Sequence, residues 1–364
     1  MKKILALLTV AVSAVLIGCG NKEVGASAEV NTESKEYAYN SEINNSDESK
    51  ANANSEQVVI RVGYHYSSPY EVALAVAKEK GFFDEAFKDD NVTIEYYGFT
   101  GAGPAINEAL LAGELDVAHG LGDQPCISGQ ANGNNGVIVS RIVRNTEGTG
   151  IIVKYDSEYN SIADLKGKTI AVGIGTAGQK NLGLILEDYG LKEEDVNLVN
   201  IRDYSAIVAA FENGEIDAAV NGSLAYTKEN DEENKAYRVL EDLSKHPNFA
   251  YLLFEKEFLD KYPEISYKFV EALYKAIEWY YDGNVEEGDI LTAKFLELED
   301  DLENVILGNG SMELSLGFTD EDIENLQTTY DFLERNDILP DVIDDLSTTY
   351  DDTIIKQVLE NNKQ

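Results

Sequence analysis

Apolar positions follow two rhythms along most of the chain. β-branched and alternating runs at Val58–Val62, Val92–Tyr97, Asp116–His119, Val137–Val143 and Ile151–Val153 predict strands. Helical spacing predicts helices at Pro69–Glu79 (through Val72, Ala73, Val76 and Ala77), Pro104–Ala112 and Gln124–Asn132. The alternation continues with strand Thr169–Val172, helix Ala177–Tyr189, strand Val196–Ile201, helix Ala206–Asn213 and strand Ala218–Asn221. Short strands alternating with helices indicate open α/β sheets. After Glu255 the pattern turns largely helical, most clearly at Ile265–Tyr281, Glu286–Leu296 and Asp320–Asn336.

An internal repeat adds organisation. Pro104–Ala118 aligns with Ser205–Ala219 without a gap and is identical at seven of fifteen positions. In each copy a helix ends at a glycine, Gly113 or Gly214, which suits a left-handed cap. An apolar residue and an aspartate, Asp116 or Asp217, then lead into a short strand. The 101-residue spacing is far too long for a solenoid and fits two lobes of similar build. A chain of 364 residues also exceeds what one core usually organises.

The amino terminus follows neither rhythm. Lys2-Lys3 precedes an uncharged apolar run, Ile4–Ile17, and then Gly18 and Cys19. Residues 1–18 read as a secretory signal peptide, too short for a membrane span. Leu16-Ile17-Gly18-Cys19 resembles the lipobox of bacterial lipoproteins, which implies lipid on Cys19 and extracytoplasmic anchoring to the cell membrane. Residues 19–56 are rich in Asn, Ser, Glu and Ala, with Tyr37 and Tyr39 as their aromatics, and read as a flexible tether.

Composition narrows the partners. An apolar content of 43% is globular. A net charge of −38 repels nucleic acid and anionic lipid, so neither is an expected partner. An acidic surface that aids solubility explains the charge better than an acidic pocket. With Cys19 taken by lipid, Cys126 has no disulfide partner and reads as a small core residue. His65, His119 and His246 lack metal-ligand spacing, so no metal is expected, and no cofactor either.

Several segments in order resemble the substrate-binding proteins of ABC importers, in the branch with the aliphatic-sulfonate, taurine and nitrate receptors. They are Ile60–Tyr64, Ala77–Phe83, Gly101–Pro104, Gly113–Asp116, Gly122–Pro125, Ile162–Val172 and Gly214–Asp217. The resemblance covers most of the chain from Val58 onward. It implies a two-lobed type II periplasmic binding protein fold with crossing hinge strands and a ligand clamped between the lobes. On that template lobe 1 comprises 57–149 and 255–364, and lobe 2 comprises 150–254. The implied partners are a small molecule, an ABC permease and its ATPase, and the expected state is a monomer. One departure is visible. Many sulfonate receptors carry a Trp-Asp-Pro-like segment after the second Gly-x-[Leu/Ile]-Asp strand, where this chain reads Asn221-Gly-Ser-Leu224.

The candidate binding residues lie in strand-to-helix loops, because ligands of open α/β sheets bind outside the carboxyl ends of strands. The first lobe offers His65, Tyr66, Ser67 and Ser68, then Gly101, Ala102 and Gly103, then Gly122, Asp123 and Gln124. Asp123 also reads as a helix cap, and His65 equally as a structural histidine. Arg144 lies near the expected crossover, where an anion or a salt bridge competes for it. The second lobe offers Gly175, Thr176, Ala177, Gly178 and Gln179, then Asn221, Gly222 and Ser223. Gly173–Gly178 matches a dinucleotide fingerprint in text, but its mid-chain place and loose acidic position (Asp203) argue against that reading. A glycine loop at a helix start still presents free N–H groups and the positive dipole end to an anion. No nucleophile elbow or cysteine–histidine spacing appears, so a binding protein is expected and not an enzyme. An extracytoplasmic enzyme, a sensory binding protein and a receptor for a heteroaromatic compound are the alternatives.

Overall fold

The predicted strands assemble into two mixed sheets. The computed structural model describes residues 57–66, 68–145, 150–202, 204–220, 236–298, 312–339 and 341–363, all within one compact unit. The first sheet uses β1 Val58–His65, β2 Val92–Phe99, β3 Val117–Gly122, β4 Gly136–Asn145, β10 Asn248–Glu255 and β11 Met312–Gly317. Its order is β11-β4-β10-β3-β1-β2. The second uses β5 Gly150–Lys154, β6 Thr169–Val172, β7 Asn197–Asn200, β8 Ala218–Val220 and β9 Tyr237–Asp242, in the order β7-β6-β8-β5-β9. β1, β2 and β3 run parallel in the first sheet and β6, β7 and β8 in the second, and the remaining pairs are antiparallel.

Helices cover both faces of each sheet. They are α1 Val72–Glu79, α2 Phe82–Phe87, α3 Ala102–Leu111, α4 Asp123–Ala131, α5 Ala177–Asp188, α6 Tyr204–Asn213, α7 Lys256–Lys261, α8 Pro263–Tyr281, α9 Val285–Phe295, α10 Asp320–Arg335 and α11 Thr353–Asn361. Period-two alternation sends Ile60, Val62 and Tyr64 of β1 into one core with α1 and α8. Ala118 and Leu121 of β3 face the other core, with Ile106, Ile127, Leu326 and Phe332. In the second sheet Ile151 and Val153 pack on α5, while Ile152 packs with Ile207 and Phe211 of α6. Burying each Val, Leu, Ile or Phe among these contributes about 1.5–3 kcal/mol.

The sequence repeat has one structural meaning in both copies. Gly113 and Gly214 have φ of 70° and 71°, a conformation that disfavours a Cβ. The next amides, of Glu114 and Glu215, donate back to Ala109 O and Ala210 O at 2.9 Å, closing each helix. Asp116 Oδ2 then accepts the Arg61 N–H at 2.8 Å, and Asp217 Oδ2 accepts the Thr169 N–H at 2.9 Å. Each aspartate thus clamps the start of its short strand to the parallel neighbour.

The second sheet begins after Asn145 and the first resumes at Asn248. The sequence reading put 248–254 in lobe 2, but β10 lies between β4 and β3, so the return connection is 243–247. The part after Glu255 is helical as expected except for β11, which pairs antiparallel with β4. No described helix is long and apolar enough to cross a membrane. The signal peptide, Cys19 and the tether lie outside the described residues.

Candidate ligand-binding cleft

Loops at the carboxyl ends of strands in the two sheets meet. A Cβ added at Gly122, the last residue of β3, would lie 3.0 Å from the Ala177 Cβ at the start of α5. One added at Gly175 would lie 3.0 Å from Pro104. Gly103 lies so close to Pro125 that a Cβ there would sit 2.5 Å from its ring, which draws the amino ends of α3 and α4 together. Ala102, at the start of α3, has φ of 54°, a strained value for a residue other than glycine, and Gly101 caps that helix.

Polar side chains cross the same seam. Gln124 Nε2 donates to Gln179 Oε1 at 3.2 Å, and that oxygen also accepts the Gly175 N–H at 2.8 Å. Lys180 Nζ lies 2.6 Å from Asp123 Oδ2, with both side chains shielded from solvent. Asn325 Nδ2 donates to the same oxygen at 3.0 Å, and Asp123 Oδ1 accepts the Gln124 N–H at 2.7 Å. Both Asp123 carboxylate oxygens therefore have partners within the protein. Neither Lys180 nor Asn325 was singled out by sequence reasoning, which stopped one residue short at Gln179.

Other candidates also have structural duties. Ser68 Oγ accepts the Tyr70 N–H and caps a short 3-10 turn. Tyr66 donates to Glu297 at 3.0 Å, and burial with that carboxylate pushes its phenol up to about 12. Arg144 pairs with Glu321 at 2.9 Å, so the salt-bridge alternative is the one observed. Thr176 turns its hydroxyl onto Gly173 O at 2.7 Å and leaves α5 without a side-chain cap. The Ala177 and Gly178 amides, at the first two helical positions, have no carbonyl one turn back. Ser67, Asn221, Gly222 and Ser223 lie outside the described residues.

His65 remains at the end of β1, partly buried. Burial, and secondarily the Arg202 charge, lowers it to about 4, so the imidazole is neutral at pH 7. Beneath it, buried Glu71 accepts the His65 N–H at 3.2 Å and lies 2.6 Å from His119 Nδ1. Burial pushes the Glu71 carboxyl up, and His119 opposes that shift. This pair ties down the loop that carries His65.

Buried polar atoms without hydrogen-bond partners occur on α4, on α5 and after β7: Gln124 Oε1, both amide atoms of Asn181, and Arg202 Nε. Asn181 is fully buried and sits one turn past Ala177 on the same face of α5. Buried polar groups in native proteins are nearly always satisfied by protein, water or ligand. Rules restricted to glycine loops missed Asn181 and Arg202. The carboxyl end of β7, which carries Arg202, was available to the same strand-end argument. Among the described residues no cluster of metal-binding side chains occurs.

Comparison with known proteins agrees with this architecture. A Bacillus subtilis (strain 168) protein named as an aliphatic sulfonates-binding protein is 28% identical over 304 residues, covering 83% of this chain and 89% of that protein. The alkanesulfonate-binding protein SsuA from Xanthomonas axonopodis pv. citri, solved bound to MOPS, superposes with a TM-score of 0.66 at 22% identity. It covers 79% of this chain and 96% of that one. The desulfurization enzyme DszB superposes at 0.61 with 17% identity, covering 84% of this chain and all of that one. The chain thus has the periplasmic binding protein fold expected from its sequence. The family model described as NMT1/THI5 like matches residues 68–286, and the chain belongs to that family.

Proposed function

We propose that this protein is the extracytoplasmic solute receptor of an ABC importer and closes its two lobes on a small, sulfonate-like anion. The observation that carries this reading is the seam itself. Loops from two sheets converge there on the open amino end of α5, and buried polar atoms of Gln124 and Asn181 lack protein partners. The relative named for sulfonate binding supports the ligand class. Closure follows if the ligand contacts the closed form better than the open one. In this reading His65, Gln124, Ala177 and Gly178 line the site, and the closed form docks as a monomer on the permease, which its ATPase drives. Lipid on Cys19 would hold the receptor at the membrane.

The binding reading is favoured over an enzyme, although DszB shares the fold. Cys126, the described cysteine, is fully buried, donates to Leu121 O, and burial raises its thiol well above the usual range. That is the environment of an inert thiol. Thermal shifts of the full-length protein against propanesulfonate, taurine, nitrate, pyrimidines and flavins test the reading, because a ligand of the folded state raises the Tm by mass action. A rise with propanesulfonate or taurine is expected. A rise with a pyrimidine or flavin alone replaces the ligand class, and conversion of any of them to product overturns the receptor.

A further inference from the structure

We propose that Arg202 is the anion anchor of the cleft, and that its single positive charge makes the site select monoanionic oxyacids over dianions and neutral isosteres. This rests on the receptor reading and names the residue and charge state behind it.

Arg202 leaves the carboxyl end of β7, on the second sheet. Its Nη2 donates to Ile174 O at 2.6 Å, in the glycine loop that opens α5. Its stem lies over Gly173, where a Cβ would approach Cγ to 3.2 Å, so that glycine leaves room for the side chain. Its Nε is buried without a partner.

The chain carries 67 acidic residues, and its arginines are mostly paired with them. Arg61, Arg141, Arg144 and Arg335 each meet a carboxylate at 2.6–2.9 Å. No carboxylate among the described residues pairs with Arg202. Burial lowers its guanidinium, and among the described residues no acidic neighbour opposes that shift. Arg202 is partly buried, and a partly desolvated cation with no described counter-ion gains when a ligand supplies the opposite charge. The site offers further polarity around it. Gln124 is wholly buried, reaches the same glycine loop through Gln179, and keeps an unpartnered oxygen.

Charge balance gives the selectivity. Arg202 contributes one positive charge, so one negative charge closes the site neutral. A dianion would leave an excess charge buried, inside a protein already at −38. A neutral sulfone of the same shape would leave the guanidinium unpaired.

The test is calorimetric titration of the full-length protein with propanesulfonate, methyl propyl sulfone and inorganic sulfate, in wild type, Arg202→Gln and Arg202→Lys. Wild type is expected to bind propanesulfonate well above the other two. Arg202→Gln should weaken propanesulfonate about thirtyfold or more. Arg202→Lys should recover part of that loss, since it keeps the charge but not the planar fork. Equal propanesulfonate affinity in wild type and Arg202→Gln overturns the anchor and leaves the receptor reading intact. Equal or tighter binding of sulfate or the sulfone by wild type overturns the selectivity without reference to any variant. Binding of none of the three probes while a pyrimidine or flavin binds overturns the proposal and keeps a receptor; no ligand at all sinks both.

Discussion

His65 and Arg202 show how single residues acquire properties that their names do not carry. An exposed histidine titrates near 6.5, whereas burial and the Arg202 charge hold His65 at about 4. Arg202 is the described charged group acting on its ring, while Glu71 accepts its backbone N–H. Replacing Arg202 by glutamine removes the nearby cation and should move the His65 titration upward, measured by NMR of the imidazole protons. An unmoved titration would mean the two residues do not interact. The folded pKa lies below the unfolded one, so the unfolded chain binds more protons between them. Stability from this site is therefore complete above about pH 6.5 and declines as pH falls toward 4. Denaturant melts of wild type and His65→Gln across that window should show a smaller acid loss in the variant.

Elements are positioned by a few close approaches. Gly183 lets α5 approach α10 so closely that a Cβ would sit 2.3 Å from the Phe332 ring, and Phe332 is itself buried. Gly183→Ala should cost about 1–3 kcal/mol through overpacking, despite the better helix propensity of alanine. Adding Phe332→Leu should recover part of the loss, and an additive double variant would show that the two do not meet. The repeated aspartates act at the same scale. Asp217→Asn keeps the shape but weakens the acceptor for the Thr169 N–H and the Tyr159 hydroxyl. A loss of about 1–3 kcal/mol is expected in urea unfolding, and Asp116→Asn should behave alike on the first sheet.

Across the whole molecule the Asp123–Lys180 pair joins the two halves. It lies in an environment from which solvent is excluded, with Asn325 as a third partner. Lys180→Met strands the Asp123 carboxylate and should destabilise the protein by about 3–5 kcal/mol. Combining it with Asp123→Leu removes both charges and should restore much of the stability. A single Lys180→Met as stable as wild type would show that water reaches the pair. Because the pair spans the seam, the double variant also separates stability from ligand affinity, which thermal shifts with propanesulfonate would read.

Local pattern alone placed most of the strands and helices before β9. Alternation and helical spacing located Thr169–Val172 to the residue, because that strand is buried among clear apolar neighbours. The repeat was visible because a helix stop and a strand clamp each require a particular residue type, Gly and Asp. The family resemblance and the glycine loop of α5 were legible for the same reason. What escaped depended on distant contacts. β10 joins the first sheet only through pairing with β3 and β4, far away in sequence, so its lobe could not be read from its own residues. The contacts of Lys180 and Asn325 with Asp123 come from segments far along the chain, so its own loop gives no sign of them. Arg202 has no local motif at all; its significance lies in desolvation and in the absence of a described carboxylate beside it. Sequence determined elements, caps and family, which depend on neighbours along the chain. Tertiary structure decided which polar groups are already satisfied, because a partner can come from any point in the fold.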